Sequence, residues 1–504
     1  MKEPVSHEKY GKGFAIKKRY NGFEKLVHFS NGVQKWIKRN ELKPYNYLEN
    51  GGEDSNSSNI SNECDDANQK PKTIPPEKII PHKSSPSTVL DELNNKSNFD
   101  YINQKSKEAL QSTNRNQNLP RDKPNDIERN RFSYRAIIES LRLGGVPYSN
   151  IEKFTFGRDN EIDKINKWLE SDEGSLILSG NYGVGKSHLL EVIASIAVEK
   201  GWAVSRVEID PNETPFHKPS NIYKNITKNF SCKHNEKYLD FNEFIECIVK
   251  SKNSANKAKL LKHPYLGELL RYWNYADKTK LLDWIRGDDN TPYKIPKLFD
   301  EQTASNLYCN IISGIGWATK NILGLKGTLV LFDESESVDP FWYTRYQFEK
   351  ARTFLRGSIL MSNNDKRLLN DTGTVYSEKL NLRYSGRKNY RYPFLWEKKS
   401  HTKLIFSFVP DMMEIVENYP DIYNLFANME KIEIDVLDKN SLQNIYERIS
   451  DIYEEAYSFS IHNDFFHYIP NSKTRKFVKG VVEGLDLLRF NPDKPLDELL
   501  VNYD

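Results

Sequence analysis

The chain has 504 residues and a mass of 58.8 kDa, which leaves room for more than one domain with a large buried core. Its formal net charge of +3 is too balanced to require a nucleic-acid partner, although local basic clusters could still contact one. No apolar run approaches the length of a bilayer span, and the first residues lack the apolar core of a signal peptide. We therefore expect a cytoplasmic protein with no membrane partner.

Residues 1–46 contain short runs of β-forming residues joined by turn signals. Asn21-Gly22 and Asn31-Gly32 suit two-residue type I′ turns, so we predict an all-β meander that closes into a small barrel. The segment resembles the Tudor-like or SH3-like barrels of some bacterial repair helicases and RNA-polymerase-binding regulators. The matching positions are His7, Tyr10-Gly11-Lys12-Gly13, Val27-His28-Phe29 and Leu42. The resemblance implies an aromatic and basic face that docks a protein or a nucleic acid, and the choice between them stays open.

Residues 47–130 change in character. Asn, Ser, Asp, Lys and Pro dominate, with only isolated apolar residues. Such a segment cannot bury enough apolar surface to offset the entropy of folding, so we predict a disordered linker.

Residues 131–436 are predicted to form a P-loop ATPase domain, whose first landmark is Phe156-Gly157-Arg158 at the start of a helical pattern. This segment resembles the GRxxE segment that precedes the P-loop in origin-recognition and STAND members of the AAA+ class. In those proteins the loop packs on the adenine. The resemblance therefore implies that Phe156, Gly157 and Arg158 belong to a nucleotide pocket.

The strongest motif is G-x-x-x-x-G-K-S, which follows an apolar run from Ser175 to Ser179 and precedes a helical pattern. Glycines let successive backbone N–H groups face one point, where the next helix presents its positive end. We predict that Lys186 reaches the β- and γ-phosphates of ATP and acts in catalysis, and that Ser187 binds Mg²⁺. The candidate nucleotide-binding residues of this loop are Gly180, Asn181, Tyr182, Gly183, Val184, Gly185, Lys186, Ser187 and His188.

The stretch from about 217 to 326 is predicted to be a helical insertion, because its aromatic and aliphatic residues recur at helical spacing. A second chemical landmark follows it: the apolar run 328–332 ends in Asp333 and Glu334, as a Walker B strand does. Hydrolysis needs one acid for the metal and one for water. We assign Mg²⁺ binding to Asp333 and the catalytic base to Glu334.

Downstream residues offer further candidates. The run 401–410 is predicted to be a core strand. Its resemblance to AAA+ order implies the sensor strand beside Walker B, with Ser407 as the polar group nearest the γ-phosphate. Arg475 begins the last helix of the predicted C-terminal lid, 437–504, where the resemblance suggests a sensor-2 arginine; the alternative is a plain charge on an exposed helix end.

One arginine could act as a finger across a subunit interface, and the sequence does not choose among Arg345, Arg352, Arg356, Arg383, Arg387 and Arg391.

Five segments within 132–490 together resemble the ATP-binding proteins of BREX-type anti-phage defence systems, and related ATPases occur in Shango-like systems. The segments are IESLRLGGVP, FGRDNE, SGNYGVGKSHLLE, VSRVEIDPNETP and KTRKFVKGVVEGLDLL. The resemblance implies an AAA+-like α/β ATPase that couples ATP binding and hydrolysis to assembly. We expect a homo-oligomer that works on double-stranded DNA or with a helicase or nuclease partner. An ATP-gated, non-catalytic scaffold is the alternative; a P-loop kinase would need an acceptor site that is not visible in the sequence.

Overall fold

The computed structural model describes residues 3–7, 11–19, 24–29, 34–38, 42–44 and most of 126–499. Within that last range the description has gaps at 146–150, 289–294, 296, 299–300, 339–342, 370–374, 386–390, 413–416, 463 and 495–497. The chain divides into two units, Met1–Asp122 and Lys123–Asp504. In the described part of the chain, no helix combines the length and the hydropathy that crossing a bilayer requires.

The described strands of the first unit form an antiparallel sheet in the order β4-β3-β2-β1-β5. These strands are β1 Glu3–His7, β2 Gly11–Arg19, β3 Glu24–Phe29, β4 Gln34–Lys38 and β5 Leu42–Pro44. Their side chains, the predicted Asn-Gly turns and linker residues 47–125 lie outside the described residues. Closure into a Tudor-like barrel with an aromatic and basic face therefore stays a prediction.

The second unit is built on a parallel sheet in the order β14-β6-β13-β10-β7. Its strands are β6 Ser175–Gly180, β7 Trp202–Glu208, β8 Cys232–His234, β9 Lys237–Leu239, β10 Gly327–Asp333, β11 Tyr376–Ser377, β12 Leu382–Arg383, β13 Thr402–Phe408 and β14 Glu430–Ile434. Strands β6, β10 and β13 are buried at every position, as strands covered on both faces are. The sheet confirms the predicted α/β class with a P-loop-like core. Strand β13 lies next to β10, as predicted, and its other neighbour is β6.

Helices cover both faces of this sheet and extend beyond it. They are α1 Asp126–Arg142, α2 Asp159–Glu170, α3 Lys186–Glu199, α4 Pro219–Lys228, α5 Phe241–Lys250, α6 Ser254–Leu260, α7 Leu266–Tyr272, α8 Lys278–Arg286, α9 Ser305–Asn321, α10 Arg345–Ser362, α11 Pro420–Ala427, α12 Lys439–Tyr457 and α13 Thr474–Phe490. Helices α2 and α3 pack on one face, and the predicted insertion supplies α4 to α9 to the core on the other.

Helix α1 crosses the predicted boundary between the linker and the ATPase domain. It begins at Asp126, inside the predicted linker, and its apolar face packs on α12 and α13 rather than on the sheet. Ile137, Ile138 and Leu141 share one core with Leu442 and Val481. Helices α1, α12 and α13 therefore form a three-helix unit from both ends of the ATPase region, and we call this unit the lid after the region predicted at 437–504.

Candidate functional site

The loop between β6 and α3 has backbone conformations that only glycine adopts readily. Gly183 and Gly185 have φ values of +83° and +106°. Lys186 is 7 % exposed, and its Nζ donates to the carbonyl oxygens of Gly180 and Asn181 at 2.8 and 3.4 Å. The lysine therefore lies along the loop, with its charge at the start of α3.

The two acids at the end of β10 point in different directions. Asp333 is 2 % exposed, accepts a hydrogen bond from Arg206 and lies close enough to the Ser187 hydroxyl for that group to lower its pKa. Glu334 has a φ of +54°, a conformation that is uncommon outside glycine, and it lines the cavity above the loop. Its backbone N–H donates to Asp333 Oδ1 at 3.0 Å. The turn thus separates the two carboxylates that the sequence assigns to metal and to water.

Burial raises the pKa of Asp333, but the positive charge of Arg206 and hydrogen bonds from Ser187 and Arg206 outweigh it, so the pKa lies below its usual range. An ionised carboxylate beside a hydroxyl is an oxygen donor set that suits Mg²⁺. The residues present therefore fit the predicted metal.

A third acid, Glu336, lies at the same end of β10, in the turn Ser335–Val338. Burial raises its pKa to about 7, and the neighbouring carboxylate of Glu334 raises it as well, whereas Lys186 opposes the shift. Within the described residues, Glu336 Oε2 has no hydrogen-bond partner. The sequence motif contains Glu336, but sequence reasoning assigned it no role.

The cavity lies between the P-loop, the Gly157-Arg158 segment and the lid. Its lining residues are Leu141, Gly144, Gly145, Phe154, Phe156, Arg158, Tyr182, Gly183, Val184, Gly185, Lys186, Ser187, His188, Glu334, Leu437, Ile445, Ile449, Thr474, Arg475 and Val478. The predicted residues Gly157, Gly180, Asn181, Asp333 and Ser407 are not part of this lining. The lining combines apolar side chains such as Phe156, Ile445 and Val478 with the P-loop residues 182–188, a set of groups suited to a base and to phosphates.

Arg158 is 7 % exposed and connects three segments around the cavity. Its guanidinium donates to the carbonyl oxygens of Val184 and Asp435 at 2.8 and 2.7 Å and forms an ion pair with Glu161 at 3.0 Å. These bonds join the P-loop to the connection between β14 and α12. Arg158 therefore supports the shape of the pocket with its polar atoms.

His188 follows Ser187 and forms a hydrogen bond of 3.0 Å with the Thr155 hydroxyl through Nε2. Burial and the charge of Arg158 lower the pKa of His188 to about 4, so the ring is neutral near pH 7. Thr155 was not among the predicted residues, because its partner is 33 positions away in the sequence.

The N-terminal end of α13 contacts the P-loop directly. The backbone N–H of Arg475 donates to the Gly183 carbonyl at 3.1 Å, and its Nη1 donates to the Tyr182 hydroxyl at 2.9 Å. Arg475, the predicted sensor-2 arginine, also lines the cavity. The lid and the loop thus share a polar contact.

Ser407 is fully buried, and its hydroxyl has no partner among the described residues. The neighbouring pair Phe332↔Phe406 places it level with Asp333 along the sheet. Ser407 therefore lies level with the acid at the end of β10 but does not line the cavity, so its predicted place nearest the γ-phosphate stays a prediction.

The six candidate arginine fingers divide into internal and exposed groups. Arg352 pairs with Glu349 and Asp421, and Arg356 donates to carbonyl oxygens of Leu380 and Asp421, so both hold α10 to its neighbours. Arg345 and Arg383 are exposed. Arg391 takes part in an interaction, and Arg387 lies outside the described residues.

Residues 130–259 match the model of a protein family described as BREX system ATP-binding protein BrxC/D. The matched stretch includes most of α1, the Gly157-Arg158 segment, the P-loop and β7, and it ends in α6. The resemblance expected over most of 132–490 is therefore confirmed for this part alone. No curated protein matches the chain.

Sequence reasoning also missed Arg206 and Glu191, which contact each other, and Arg206 contacts Asp333 as well. A signal was present for Arg206: it is the one charged residue within the apolar run Trp202–Val207, next to the P-loop helix in the chain. No pattern in the sequence indicates that its partner would be the acid of a strand that follows more than a hundred residues later.

Proposed function

We propose that the chain binds ATP in this cavity and hydrolyses it. The observation that carries the proposal is the meeting of two distant segments: the Ser187 hydroxyl of the P-loop helix lies close to Asp333, and Glu334 lines the same cavity as Lys186. A Gly-rich anion-binding loop, an acid suited to a metal and an acid suited to water are the parts that phosphoryl transfer to water requires.

In this reaction the loop N–H groups and Lys186 bind the β- and γ-phosphates. Glu334 accepts a proton from a water molecule as the water oxygen bonds to the γ-phosphorus. The bond from that phosphorus to the β–γ bridging oxygen breaks, and ADP leaves with the electron pair. Ser187 and Asp333 would hold Mg²⁺, which when bound neutralises charge that develops on the phosphate oxygens.

The family match over residues 130–259 supports a role in BREX-type anti-phage defence. We propose that nucleotide binding controls assembly of a homo-oligomer on double-stranded DNA or with a helicase or nuclease partner. The contact of Arg475 with Tyr182 and Gly183 supports such control, because a nucleotide in the cavity would lie against the lid and the P-loop together.

The same contact favours a second candidate, an ATP-gated scaffold in which binding moves the lid and turnover is negligible. The two candidates agree on ATP binding and differ on hydrolysis. They also differ on Glu334: only the ATPase needs its carboxylate.

The test compares phosphate release and fluorescent ATP-analogue binding for wild type, Glu334→Gln and Lys186→Ala, with and without double-stranded DNA. We expect Glu334→Gln to bind nucleotide but to lose about 100-fold or more in turnover, the usual effect of removing a general base. Lys186→Ala should lose binding. Equal turnover in wild type and Glu334→Gln would contradict the assigned base; tight binding with no turnover in wild type would support the scaffold.

A further inference from the structure

The guanidinium of Arg206 connects Asp333 to a second buried acid. Its Nη2 donates to Asp333 Oδ2 at 2.7 Å, and its Nη1 donates to Glu191 Oε1. The side chains of Arg206, Glu191 and Asp333 are 20, 10 and 3 % exposed. Ion pairs this far from solvent are weakly screened, so the geometry of the three groups is strongly coupled.

The sheet register and the P-loop helix together bring this triad to the site. Arg206 lies opposite Leu331 on β10, and Leu331 and Asp333 share a face of that strand because side chains alternate. Glu191 lies one helical turn after Ser187 on α3, on the same face of the helix. The side-chain amide of Asn229 donates a hydrogen bond of 2.8 Å to the backbone carbonyl of Arg206 and so fixes the backbone there.

Both oxygens of Asp333 are therefore engaged by fixed donors. Oδ2 accepts from Arg206, and Oδ1 accepts from the Glu334 backbone N–H at 3.0 Å. A carboxylate held at both oxygens cannot rotate freely, and it faces the Ser187 hydroxyl. Glu191 balances the charge of Arg206, so the triad retains a net negative charge where a cation would bind.

We propose that Arg206, held by Glu191, is a positioning residue that fixes the Asp333 carboxylate for a divalent cation shared with Ser187. This inference rests on the proposed function, since the cation would arrive with ATP. Arginine suits the role because its planar fork reaches two carboxylates at once, whereas lysine offers a single point charge.

The experiment measures the Kd of a fluorescent ATP analogue in EDTA and across a Mg²⁺ titration for wild type, Arg206→Lys, Arg206→Met and Glu191→Gln. We expect the Mg²⁺ concentration at half-maximal effect to rise about tenfold or more in both Arg206 variants, the range typical of residues that orient metal ligands. Glu191→Gln should shift it in the same direction by less. The Kd in EDTA should stay unchanged in all three variants. A variant whose pocket had lost its structure would bind the analogue more weakly in EDTA as well.

A matched control is Arg286, which also bridges two acids, Asp283 and Asp288, at 2.6 and 3.1 Å and does not line the cavity. Arg286→Met should leave the Mg²⁺ dependence unchanged. Unaltered Mg²⁺ dependence in Arg206→Lys, or tighter Mg²⁺ binding in Arg206→Met, would overturn the positioning role. A wild type that binds no ATP would instead overturn the proposed function and the inference with it.

Discussion

The backbone at single residues sets much of the geometry of the candidate site. Gly183, Gly185 and Glu334 all have positive φ, and they surround the region between the loop and the end of β10. A left-handed conformation at a non-glycine residue costs on the order of 1 kcal/mol or more, so Glu334 stores a small strain at its turn. Such strain is typical of sites whose side chains must point in a set direction.

Replacing Gly185 by alanine separates backbone strain from steric clash. Among the described residues, apart from its chain neighbours, no heavy atom lies within 4 Å of where an added Cβ would stand at Gly185. The penalty therefore arises from its φ of +106° alone. We expect Gly185→Ala to distort the loop and weaken binding of an ATP analogue about tenfold or more, a loss of roughly 1.4 kcal/mol. Fluorescence titration measures the effect.

Gly324 provides the control for this substitution. It also has a positive φ, +76°, and an added Cβ there would meet no non-neighbouring heavy atom of the described chain within 4 Å. Gly324 follows α9 and does not line the cavity. Gly324→Ala should lower thermal stability while leaving nucleotide affinity unchanged. Equal affinity in both variants would show that the conformation of Gly185 does not matter for binding.

Glu336 predicts a pH dependence of stability. Its pKa is raised to about 7 in the folded protein, so the fold retains a proton that the unfolded chain releases at lower pH. This contribution to stability is full below the unfolded pKa of about 4.5 and is lost as pH rises through about 7. Glu336→Gln mimics the protonated form and should therefore be more stable than wild type at pH 8, by roughly 1–3 kcal/mol, and nearly equal at pH 5.

Urea unfolding of the nucleotide-free protein at both pH values measures this difference. Glu236→Gln is the control, because the Glu236 side chain is 91 % exposed and should give the same small difference at each pH. If the stability difference between Glu336→Gln and wild type did not grow from pH 5 to pH 8, the pKa of Glu336 would not be raised in the folded protein.

At the scale of elements, one ion-pair network holds α1 to the C-terminal helices. Arg142 contacts both oxygens of Asp486, with Nη2 at 2.9 and 2.8 Å, and the Tyr453 hydroxyl donates to Asp486 Oδ1 at 2.6 Å. One carboxylate of α13 thus joins helices from opposite ends of the unit. The network therefore holds the three helices of the lid to one another.

Asp486→Ala should loosen this connection. It leaves a half-buried guanidinium and a buried phenol without their acceptor, which costs roughly 1–3 kcal/mol. We expect a lower Tm and faster amide hydrogen exchange in residues 126–142. The exposed pair Lys326–Glu170, with side chains 46 and 53 % exposed, is the control, and Glu170→Ala should change Tm little. Unchanged exchange in α1 would show that apolar packing alone holds the helix.

At the scale of the whole molecule, the two units are expected to be separable at the start of α1. A protein beginning at Lys123 keeps Ile137, Ile138 and Leu141 in the lid core. We expect it to fold and to bind and hydrolyse ATP like the full chain, while defence activity declines without the N-terminal sheet. Thermal unfolding, nucleotide titration and a phage-infection assay measure these properties.

A protein that begins at Ile151 should behave differently, because it lacks α1. Burying each of the three aliphatic side chains contributes about 1.5–3 kcal/mol, so their loss would expose the lid core. The point variant Ile138→Ala tests the same contact less severely, with an expected cost of about 2–5 kcal/mol. The three-helix lid would be contradicted if the protein that begins at Ile151 were as stable as the full chain. A role for the first unit would be contradicted if the protein that begins at Lys123 retained full defence activity.

The P-loop and the acids of β10 could be predicted from the sequence because their chemistry resides in contiguous residues. Gly180 to Ser187 must be adjacent for the backbone to curl around phosphate, and the end of an apolar strand identifies Asp333 and Glu334. Helical spacing likewise predicted the insertion, whereas the α/β sheet was predicted from the P-loop and the resemblance to AAA+ proteins.

Tertiary structure alone decided which distant groups meet. Arg206 and Asp333 are 127 positions apart, and Arg142 and Asp486 are 344 apart, so no local pattern could pair them. It also placed α1 in the lid and engaged Arg352 and Arg356 in internal contacts. The physical reason is that local sequence determines backbone preference and chemical type, whereas a buried charge takes whichever partner the packing of sheet and helices brings within reach.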